Sequence, residues 1–167
     1  MKSLKIELQN NITIHNFYVP AGGDIADIKL NPKFKHKIDF LQEMVNFLRN
    51  EKSKKRIILG DFNIAPFEND VWSHKSLLNI VSHTKIETNY FNKLLTQAAF
   101  EDIIRKNFKN NDKIFSWWSY RNKDWQKSRT YGVTGVPTYI YNNHSVVGAQ
   151  PIENLVKFLN HFGVPKL

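Results

Sequence analysis

A short apolar strand that ends in an acid and an amide is the feature that most constrains this sequence. Residues 57–59, Ile-Ile-Leu, form an apolar run that is typical of a strand buried on both faces of a sheet. Gly60 ends the run, and Asp61 and Asn63 follow two residues apart. Because side chains alternate along an extended chain, the acid and the amide share one side of it.

This strand end has two interpretations. In an open α/β sheet, ligands bind at the carboxyl ends of the strands. A carboxylate and a carboxamide there can hold a hard cation, orient a water molecule and contact a phosphate oxygen. Gly, Asp and Asn are also ordinary turn residues, so the plainer interpretation is a strand-to-turn junction without chemistry. At this point both interpretations stay open.

Composition limits the class of protein. The 167 residues, 41% of them hydrophobic, are enough for one domain with a core. No apolar stretch reaches the roughly 18–20 residues that span a bilayer, and the first residues lack the apolar core of a secretory signal. Cysteine is absent, which excludes disulfides, zinc–thiolate sites and thiol redox chemistry. We expect a cytoplasmic protein with no membrane partner.

The charge balance is strongly basic. Lys and Arg number 24 against 15 acids, which gives a formal net charge of +9. Such an excess suits a polyanionic partner such as DNA or RNA. A general bias toward Lys and Asn, or a requirement for solubility, would produce the same number.

Periodicity predicts alternating strands and helices over the first 128 residues. Within the second strand, one face carries Ile12, Ile14, Asn16 and Tyr18, and the other carries Thr13, His15, Phe17 and Val19. The predicted elements are strands over 4–9, 11–19, 56–60 and 115–120, and helices over 34–52, 90–99 (capped by Asn89) and 102–108.

The pattern changes after residue 128. Glycines become denser, and a strand over 139–141 is followed by an Asn-Asn turn and a second strand over 145–148. Pro151 then opens a predicted helix. We therefore predict two domains, residues 1–128 and residues 129–167.

Four ordered segments carry motifs of a known family. They read Asn-Phe-Tyr-Val-Pro-Ala-Gly at 16–22, Leu-Gly-Asp-Phe-Asn-Ile-Ala-Pro at 59–66, Asp-Val-Trp at 70–72 and Phe-Ser-Trp-Trp-Ser-Tyr-Arg at 115–121. On these motifs the chain resembles the exonuclease III and abasic-site endonuclease family of metal-dependent phosphodiesterases, hydrolases of base-excision repair. The resemblance implies an α/β fold, a four-layer sandwich of two mixed sheets between helices. This chain would supply one mixed sheet with its helices, followed by a β-hairpin–helix tail.

The resemblance also implies roles for five residues. Tyr18 matches a tyrosine that contacts the scissile phosphate. Asp61 matches the aspartate that activates the attacking water or sits beside the metal, and Asn63 matches the asparagine that orients water and phosphate. Trp117 matches an aromatic residue beside the abasic deoxyribose, and Arg121 lies in the same DNA-binding segment. The implied cofactor is Mg²⁺ or Mn²⁺ at Asp61 and Asn63, and the implied partner is double-stranded DNA with abasic sites.

Each of these residues also has a plainer interpretation. Tyr18 is compatible with a half-buried strand tyrosine, and a Trp-Trp pair such as the one containing Trp117 is more often part of a core. The six histidines are scattered along the chain without the spacing of metal ligands.

Two parts of the family pattern have no counterpart in the sequence. These are an early strand and glutamate that contribute to the metal site, and a late Ser-Asp-His segment. We therefore expect a partial domain whose site is incomplete and inactive alone. A non-catalytic nucleic-acid-binding remnant and a non-functional gene-fusion product are the alternatives, so whether the chain is an enzyme stays open.

The tail resembles a second family. Residues 131–162 are similar to the carboxyl-terminal end of a DsbA-type thioredoxin-fold protein, on the segments at 132–138 and 148–151. A thiol oxidoreductase is nevertheless excluded, because the chain has no Cys-x-x-Cys motif.

Overall fold

A computed structural model of the chain describes residues 3–8, 11–53, 55–106, 112–118, 126, 129–130, 138–141, 144–147 and 151–161. The chain divides into two compact units, Met1–Trp117 and Trp118–Leu167. Within the described residues, no helix is both long and apolar enough to span a bilayer.

The first unit is built on a mixed three-stranded sheet in the order β1-β2-β3. Strands β1 and β2 pair antiparallel, and β2 and β3 pair parallel. The turn between β1 and β2 uses Asn11 at φ +58°, a left-handed conformation that asparagine tolerates. The predicted mixed α/β class is confirmed. The strand bounds are β1 Ser3–Glu7, β2 Ile12–Tyr18 and β3 Lys55–Asp61.

Among the described residues of the first unit, four helices and a short 3₁₀ turn accompany this sheet. The long helix α1 was predicted over 34–52 and begins two residues earlier. Asn31 caps it by accepting a hydrogen bond from the Lys33 N–H (3.0 Å), and Pro32 occupies the first turn. The bounds are α1 Pro32–Asn50, α2 His74–Leu77, α3 Lys85–Gln97, α4 Ile103–Lys106 and the 3₁₀ turn Glu68–Asp70.

The predicted start of α3 is wrong. The helix begins after Thr84, and Asn89 lies inside it as an exposed residue. Thr84 and Glu87 form a capping box, in which each side chain accepts a hydrogen bond from the other residue's backbone N–H. Two backbone donors are satisfied together in this way, which favours the earlier start.

The core lies between α1 and one face of the sheet. Alternate residues of β2 are buried, as the predicted division into two faces requires. From α1 the core receives Phe34, Ile38, Leu41, Met44, Val45 and Leu48, and from β2 and the residue after it Phe17 and Val19.

The prediction that β3 is buried on both faces is wrong. Ile58 is half-buried toward α1, whereas Ile57 and Leu59 are 47% and 43% exposed. An apolar run of three residues does not reveal which faces of the sheet other elements cover, and within the described residues a helix layer lies on one face.

The predicted strand over 115–120 is wrong for the residues that the structure describes. Residues 112–118 are irregular, and Phe115 has φ +52°. The Ile114 N–H donates to the Asn69 carbonyl (2.9 Å) and the Trp117 N–H donates to the Asp70 carbonyl (3.4 Å). The segment therefore pairs with the 3₁₀ turn instead of a strand. Residues 119–121 lie outside the described residues.

The second unit contains a hairpin and a helix. Strands β4 (Thr138–Tyr141) and β5 (His144–Val147) pair antiparallel, and α5 (Ile152–His161) follows Pro151. The predicted strand–strand–helix order is confirmed. The division at residue 128 and the similarity to a thioredoxin-fold protein stay predictions, and residues 131–137 lie outside the described part of the chain.

Gly60 allows β3 to approach β2 near its carboxyl end. It has φ +128°, and a Cβ atom there would lie 1.9 Å from the Phe17 carbonyl oxygen. Since neither that conformation nor that space admits an L side chain, glycine is required where the strand passes into the Asp61 segment.

We expect Gly60→Ala to lower the free energy of unfolding by about 3 kcal/mol or more, because it combines a backbone clash with a strained φ. Gly23→Ala is the matched control. Gly23 also has positive φ (+74°), but its nearest neighbour is a side-chain atom at 3.1 Å, so a loss of about 1 kcal/mol is expected. Urea unfolding followed by circular dichroism measures both, and equal losses would contradict the assignment.

Candidate active site at the carboxyl ends of β2 and β3

Tyr18 and Asp61 are neighbours at the ends of two parallel strands. They are register partners in the β2–β3 ladder, so their side chains lie on the same face of the sheet. That face is the one opposite α1. Tyr18 is 69% exposed, and Asp61 is exposed as well. The first two predicted site residues are therefore brought together, and a ligand can reach both.

Asn63 completes this cluster through its backbone and its side chain. Its N–H donates to Asp61 Oδ1 (3.0 Å), and its Nδ2 donates to the Val19 carbonyl (2.9 Å). Its φ of +48° is a left-handed conformation that asparagine adopts readily. Among the described residues, Asp61 Oδ2 and Asn63 Oδ1 have no hydrogen-bond donor, which leaves two oxygen acceptors at the strand ends.

A buried lysine holds the backbone behind this cluster. Lys37 of α1 is fully buried, and its Nζ donates to the Asn63 carbonyl (2.7 Å) and to Ser82 Oγ (3.3 Å). A longer contact joins it to the Ala21 carbonyl (3.4 Å). One ammonium group therefore touches the segments that follow β2 and β3 and the segment before α3.

The counter-ion of Lys37 is Glu87, which is also fully buried. Glu87 Oε1 lies 2.5 Å from Lys37 Nζ. The carboxylate accepts hydrogen bonds from the Ser82 N–H (3.0 and 2.9 Å), the Thr84 N–H (3.2 Å) and Thr84 Oγ1 (2.6 Å). Because a buried ion pair is tolerated only when its remaining donors and acceptors are satisfied, this dense set of hydrogen bonds is what allows the pair to be internal.

Burial lowers the pKa of Lys37 below 10.5, and the carboxylates of Glu87 and Asp61 oppose that shift. A lowered pKa in the folded state means that the native protein loses this proton at a lower pH than the unfolded chain does. The contribution of Lys37 to the free energy of unfolding is therefore fully present above pH 10.5. It is lost as the pH falls through the pKa that Lys37 has in the folded protein.

A histidine pair supports the next residues of the same segment. The Ala65 N–H donates to the Ser82 carbonyl (2.7 Å), and His83 Nδ1 donates to the Ala65 carbonyl (2.8 Å). The remaining ring nitrogen of His83 lies 2.8 Å from His74 Nδ1, and His74 Nε2 lies 3.5 Å from Glu68 Oε1. Spacing along the chain gave no signal of this contact, because nine residues separate the two rings.

The Asp-Val-Trp segment has a structural role. Asp70 is buried, accepts from the Phe67 N–H (2.8 Å) and pairs with Arg105. Burial raises the pKa of Asp70, against the effect of the Phe67 N–H and of Arg105. Its carbonyl receives the Trp117 N–H, so this turn positions the aromatic segment.

Trp117 is half-buried and packs against a small cluster of Ala65, Val71 and Leu77. The core-type contact that the Trp-Trp pair suggested is therefore present, and a role beside a deoxyribose stays a prediction. Arg121 lies outside the described residues, so its role also stays a prediction.

The oxygens of Asp61 and Asn63 are the ligand type that a hard divalent cation prefers. A carboxylate and an amide supply two such ligands. In the described ranges there is no group of three or more His, Cys, Asp or Glu side chains able to hold a metal ion. The donor chemistry fits Mg²⁺ or Mn²⁺, and these two residues would hold the ion through few protein ligands.

No family model matches the chain, whereas two curated proteins do. Exodeoxyribonuclease III of Haemophilus influenzae is 32% identical over 127 residues, 71% of this chain and 46% of that protein. An exodeoxyribonuclease of Bacillus subtilis is 29% identical over 87 residues, 52% of this chain and 34% of that protein. The chain thus spans a third to a half of the length of these relatives.

Solved structures agree with these relatives. An AP endonuclease from Archaeoglobus fulgidus superposes with a TM-score of 0.62 at 26% identity, covering 76% of this chain and 48% of that one. The chain carries part of an exonuclease III and abasic-site endonuclease family domain. The 3′ phosphatase NExo from Neisseria, bound to a product DNA hairpin, has the same fold, with a TM-score of 0.63 at 23% identity over 75% of this chain and 47% of that one.

Sequence reasoning missed Lys37 and Glu87, although both left a signal. Lys37 interrupts the apolar stripe of α1, between Phe34 and Ile38, where a lysine is unusual. Glu87 stands three residues after Thr84, which is the spacing of a capping box. Each signal marks one residue of the domain, but neither identifies the other as its partner, and only the structure shows that the two side chains meet.

We expect Lys37→Met to lower the free energy of unfolding by about 3–5 kcal/mol, because it leaves the Glu87 carboxylate buried without a counter-charge. Adding Glu87→Gln should recover much of the loss, since the neutral amide can still accept from Ser82 and Thr84. Urea unfolding followed by circular dichroism measures all the variants.

Lys35→Met is the control, because Lys35 lies on the same helix but is 61% exposed. It should change the free energy of unfolding by less than about 0.5 kcal/mol. If Lys35→Met and Lys37→Met lower the free energy of unfolding by the same amount, the buried pair does not hold the site segments together.

Proposed function

We propose that this chain acts on DNA through an exonuclease III-type phosphodiesterase site that includes Tyr18, Asp61 and Asn63. One observation carries the proposal. Tyr18 and Asp61 are register partners at the ends of parallel strands, and Asn63 is hydrogen-bonded to both strand ends. In an α/β sheet this is the edge at which ligands bind.

Each residue has a chemical task in the proposal. A divalent cation held by Asp61 and Asn63, Mg²⁺ or Mn²⁺, would neutralise charge on the phosphate. The Tyr18 hydroxyl donates a hydrogen bond to a non-bridging phosphate oxygen, where charge develops. The Asp61 carboxylate activates the attacking water, either by taking its proton or through the ion that it would hold, and Asn63 orients that water. The water oxygen bonds to phosphorus, the bond from phosphorus to the leaving sugar oxygen breaks, and that oxygen takes a proton from solvent.

The identity of the nucleic acid rests on charge and on the relatives. A net charge of +9 favours a polyanion. The relatives are an exodeoxyribonuclease III and an AP endonuclease. Double-stranded DNA with an abasic site is therefore the substrate that we propose, with Trp117 and Arg121 as contacts to it.

We further propose that the 167-residue chain binds DNA but cleaves it only near the background rate. One carboxylate and one amide bind a hard cation weakly, and the loss of some members of a catalytic unit removes most of its rate enhancement. A DNA-binding module without chemistry is the second candidate, favoured by the basic charge together with the two-ligand metal site.

The variant Asp61→Asn tests whether Asp61 binds the divalent cation. An amide oxygen can still accept from the Asn63 N–H, so only the charge at the site changes. We expect the unmodified chain to bind Mn²⁺ with a dissociation constant on the order of 1 mM, measured by electron paramagnetic resonance, and Asp61→Asn to bind at least tenfold more weakly. Asp39→Asn removes the same charge from an exposed position on α1 and should have no effect.

Incision of an abasic-site duplex, measured with and without Mg²⁺ in the same samples, should stay near background. Robust Mg²⁺-dependent incision that Asp61→Asn abolishes would show that the chain is active alone. Mn²⁺ binding that is equal in Asp61→Asn and in the unmodified chain would remove Asp61 from the metal site.

Duplex affinity should depend strongly on salt. A surface that neutralises several phosphates releases their counterions, so the logarithm of the association constant falls linearly with the logarithm of salt concentration, with a slope of about −0.9 per phosphate contacted. We expect a slope of about −3 or steeper for an abasic-site duplex in fluorescence anisotropy. A flat response would contradict binding to nucleic acid.

A further inference from the structure

Two histidines and a glutamate form a second polar cluster in the first unit. His74 is the first residue of α2, His83 lies two residues before α3, and Glu68 is the first residue of the 3₁₀ turn. His83 is 2% exposed, whereas the side chains of His74 and Glu68 are 37% and 76% exposed. The buried ring therefore lies behind the exposed one, and solvent reaches the two outer side chains.

The hydrogen bonds of the histidine pair assign a proton to each ring. His83 Nδ1 lies 2.8 Å from the Ala65 carbonyl oxygen, and because that oxygen can only accept, Nδ1 carries the proton. A neutral imidazole has one N–H, so His83 Nε2 is an acceptor. His74 Nδ1 lies 2.8 Å from it and therefore donates. The neutral His74 ring is left with a lone pair on Nε2.

This lone pair lies close to a carboxylate oxygen. His74 Nε2 is 3.5 Å from Glu68 Oε1. Two atoms that each bind Zn²⁺ at about 2.0–2.1 Å, at a tetrahedral angle, lie about 3.3–3.4 Å apart. The two acceptors thus have nearly the separation of two ligands of one ion. Because both side chains are exposed, an ion can reach them without a change in the fold.

We propose that His74 Nε2 and Glu68 Oε1 bind a divalent transition-metal ion of the Zn²⁺ type. Imidazole suits Zn²⁺, whereas Mg²⁺ is bound through oxygen ligands. Water completes the coordination, because the described residues offer no third His, Cys, Asp or Glu side chain at this position. The imidazole ligand separates this site from the hard-cation site proposed at Asp61 and Asn63.

His83 is a positioning residue in this proposal. It accepts the Nδ1 proton of His74, which fixes the tautomer of that ring and leaves Nε2 available to the ion. Metal-binding histidines usually donate their second N–H to an acceptor that orients the ring, and the loss of that acceptor weakens metal binding by about 10–100-fold. His83 is itself held by the Ala65 carbonyl, so the backbone after β3 supports the ligand.

An ion at this position would connect the 3₁₀ turn to α2. Glu68 belongs to the turn whose Asp70 carbonyl accepts from the Trp117 N–H, and His74 belongs to α2. In the unfolded chain the two ligands are not held together, so the ion binds the folded state preferentially and stabilises it. The role that we assign to the ion is therefore structural.

The experiment is isothermal titration calorimetry of the full 167-residue chain with ZnCl₂. We expect saturable binding of one equivalent of Zn²⁺ at the cluster. His74→Ala and Glu68→Gln should each raise the dissociation constant by about tenfold or more, since each removes one of two protein ligands. His36→Ala and Glu101→Gln are the controls, because they remove an exposed imidazole and an exposed carboxylate elsewhere. Both should leave the dissociation constant unchanged.

Nitrogen-15 NMR of the histidine rings tests the ligand atom and the role of His83. In the metal-free chain, neutral His74 should carry its proton on Nδ1, and added Zn²⁺ should shift the signal of its Nε2. His83→Phe should weaken Zn²⁺ binding and release His74 from the Nδ1–H tautomer, a change that a purely structural role for His83 would not produce. If that variant folds poorly, the tautomer of His74 in the unmodified chain still decides the point.

Three outcomes would overturn the proposal. The first is the absence of saturable Zn²⁺ binding, and the second is a dissociation constant that His74→Ala does not change. The third is a His74 ring that stays doubly protonated beside Glu68 when Zn²⁺ is present, because an ion pair would then occupy the position of the metal. Asp61→Asn should leave Zn²⁺ binding unchanged, so failure of this site is distinguishable from failure of the proposed function.

Discussion

The buried ion pair between Lys37 and Glu87 is the interaction on which the described part of the first unit depends. Its ammonium contacts the backbone of the segments after β2 and after β3, and its carboxylate holds the segment that starts α3. Loops cannot bury their own polar groups without partners, so a single internal pair with many donors and acceptors allows three of them to meet. Of the candidate cluster, Asn63 contacts this pair directly, through its carbonyl.

The sheet has two chemically different faces. The face toward α1 is a packed core that contains Phe17 and Val19, and the opposite face carries exposed Ile57 and Leu59. Asp61 and Tyr18 stand on that opposite face, at the carboxyl ends of β3 and β2.

Much of the fold could be predicted from the sequence, because the signals were local. The alternation in β2 gave both of its faces, and the apolar stripe of α1 gave the helix to within two residues. The start of α3 was wrong although its capping box is a local signal, whereas two other errors arose where nonlocal contacts decided the outcome. Residues 115–118 looked like a strand but pair with a 3₁₀ turn. β3 looked doubly buried, although in the part of the chain that the structure describes one of its faces is exposed. Asp61 and Asn63 were candidates because of their spacing at a strand end, and Tyr18 became one through the resemblance to the family.

The sequence by itself determined the order of elements, the family motifs and the identity of the polar groups at the ends of β2 and β3. These follow from side-chain periodicity and from turn residues such as Gly60 and Asn63, whose conformational preferences act within a few residues. Only the tertiary structure decided that Lys37 turns inward to Glu87, that His74 meets His83, and that Leu59 faces outward. Those outcomes depend on which surfaces pack together, and packing is set by contacts between residues far apart in the chain.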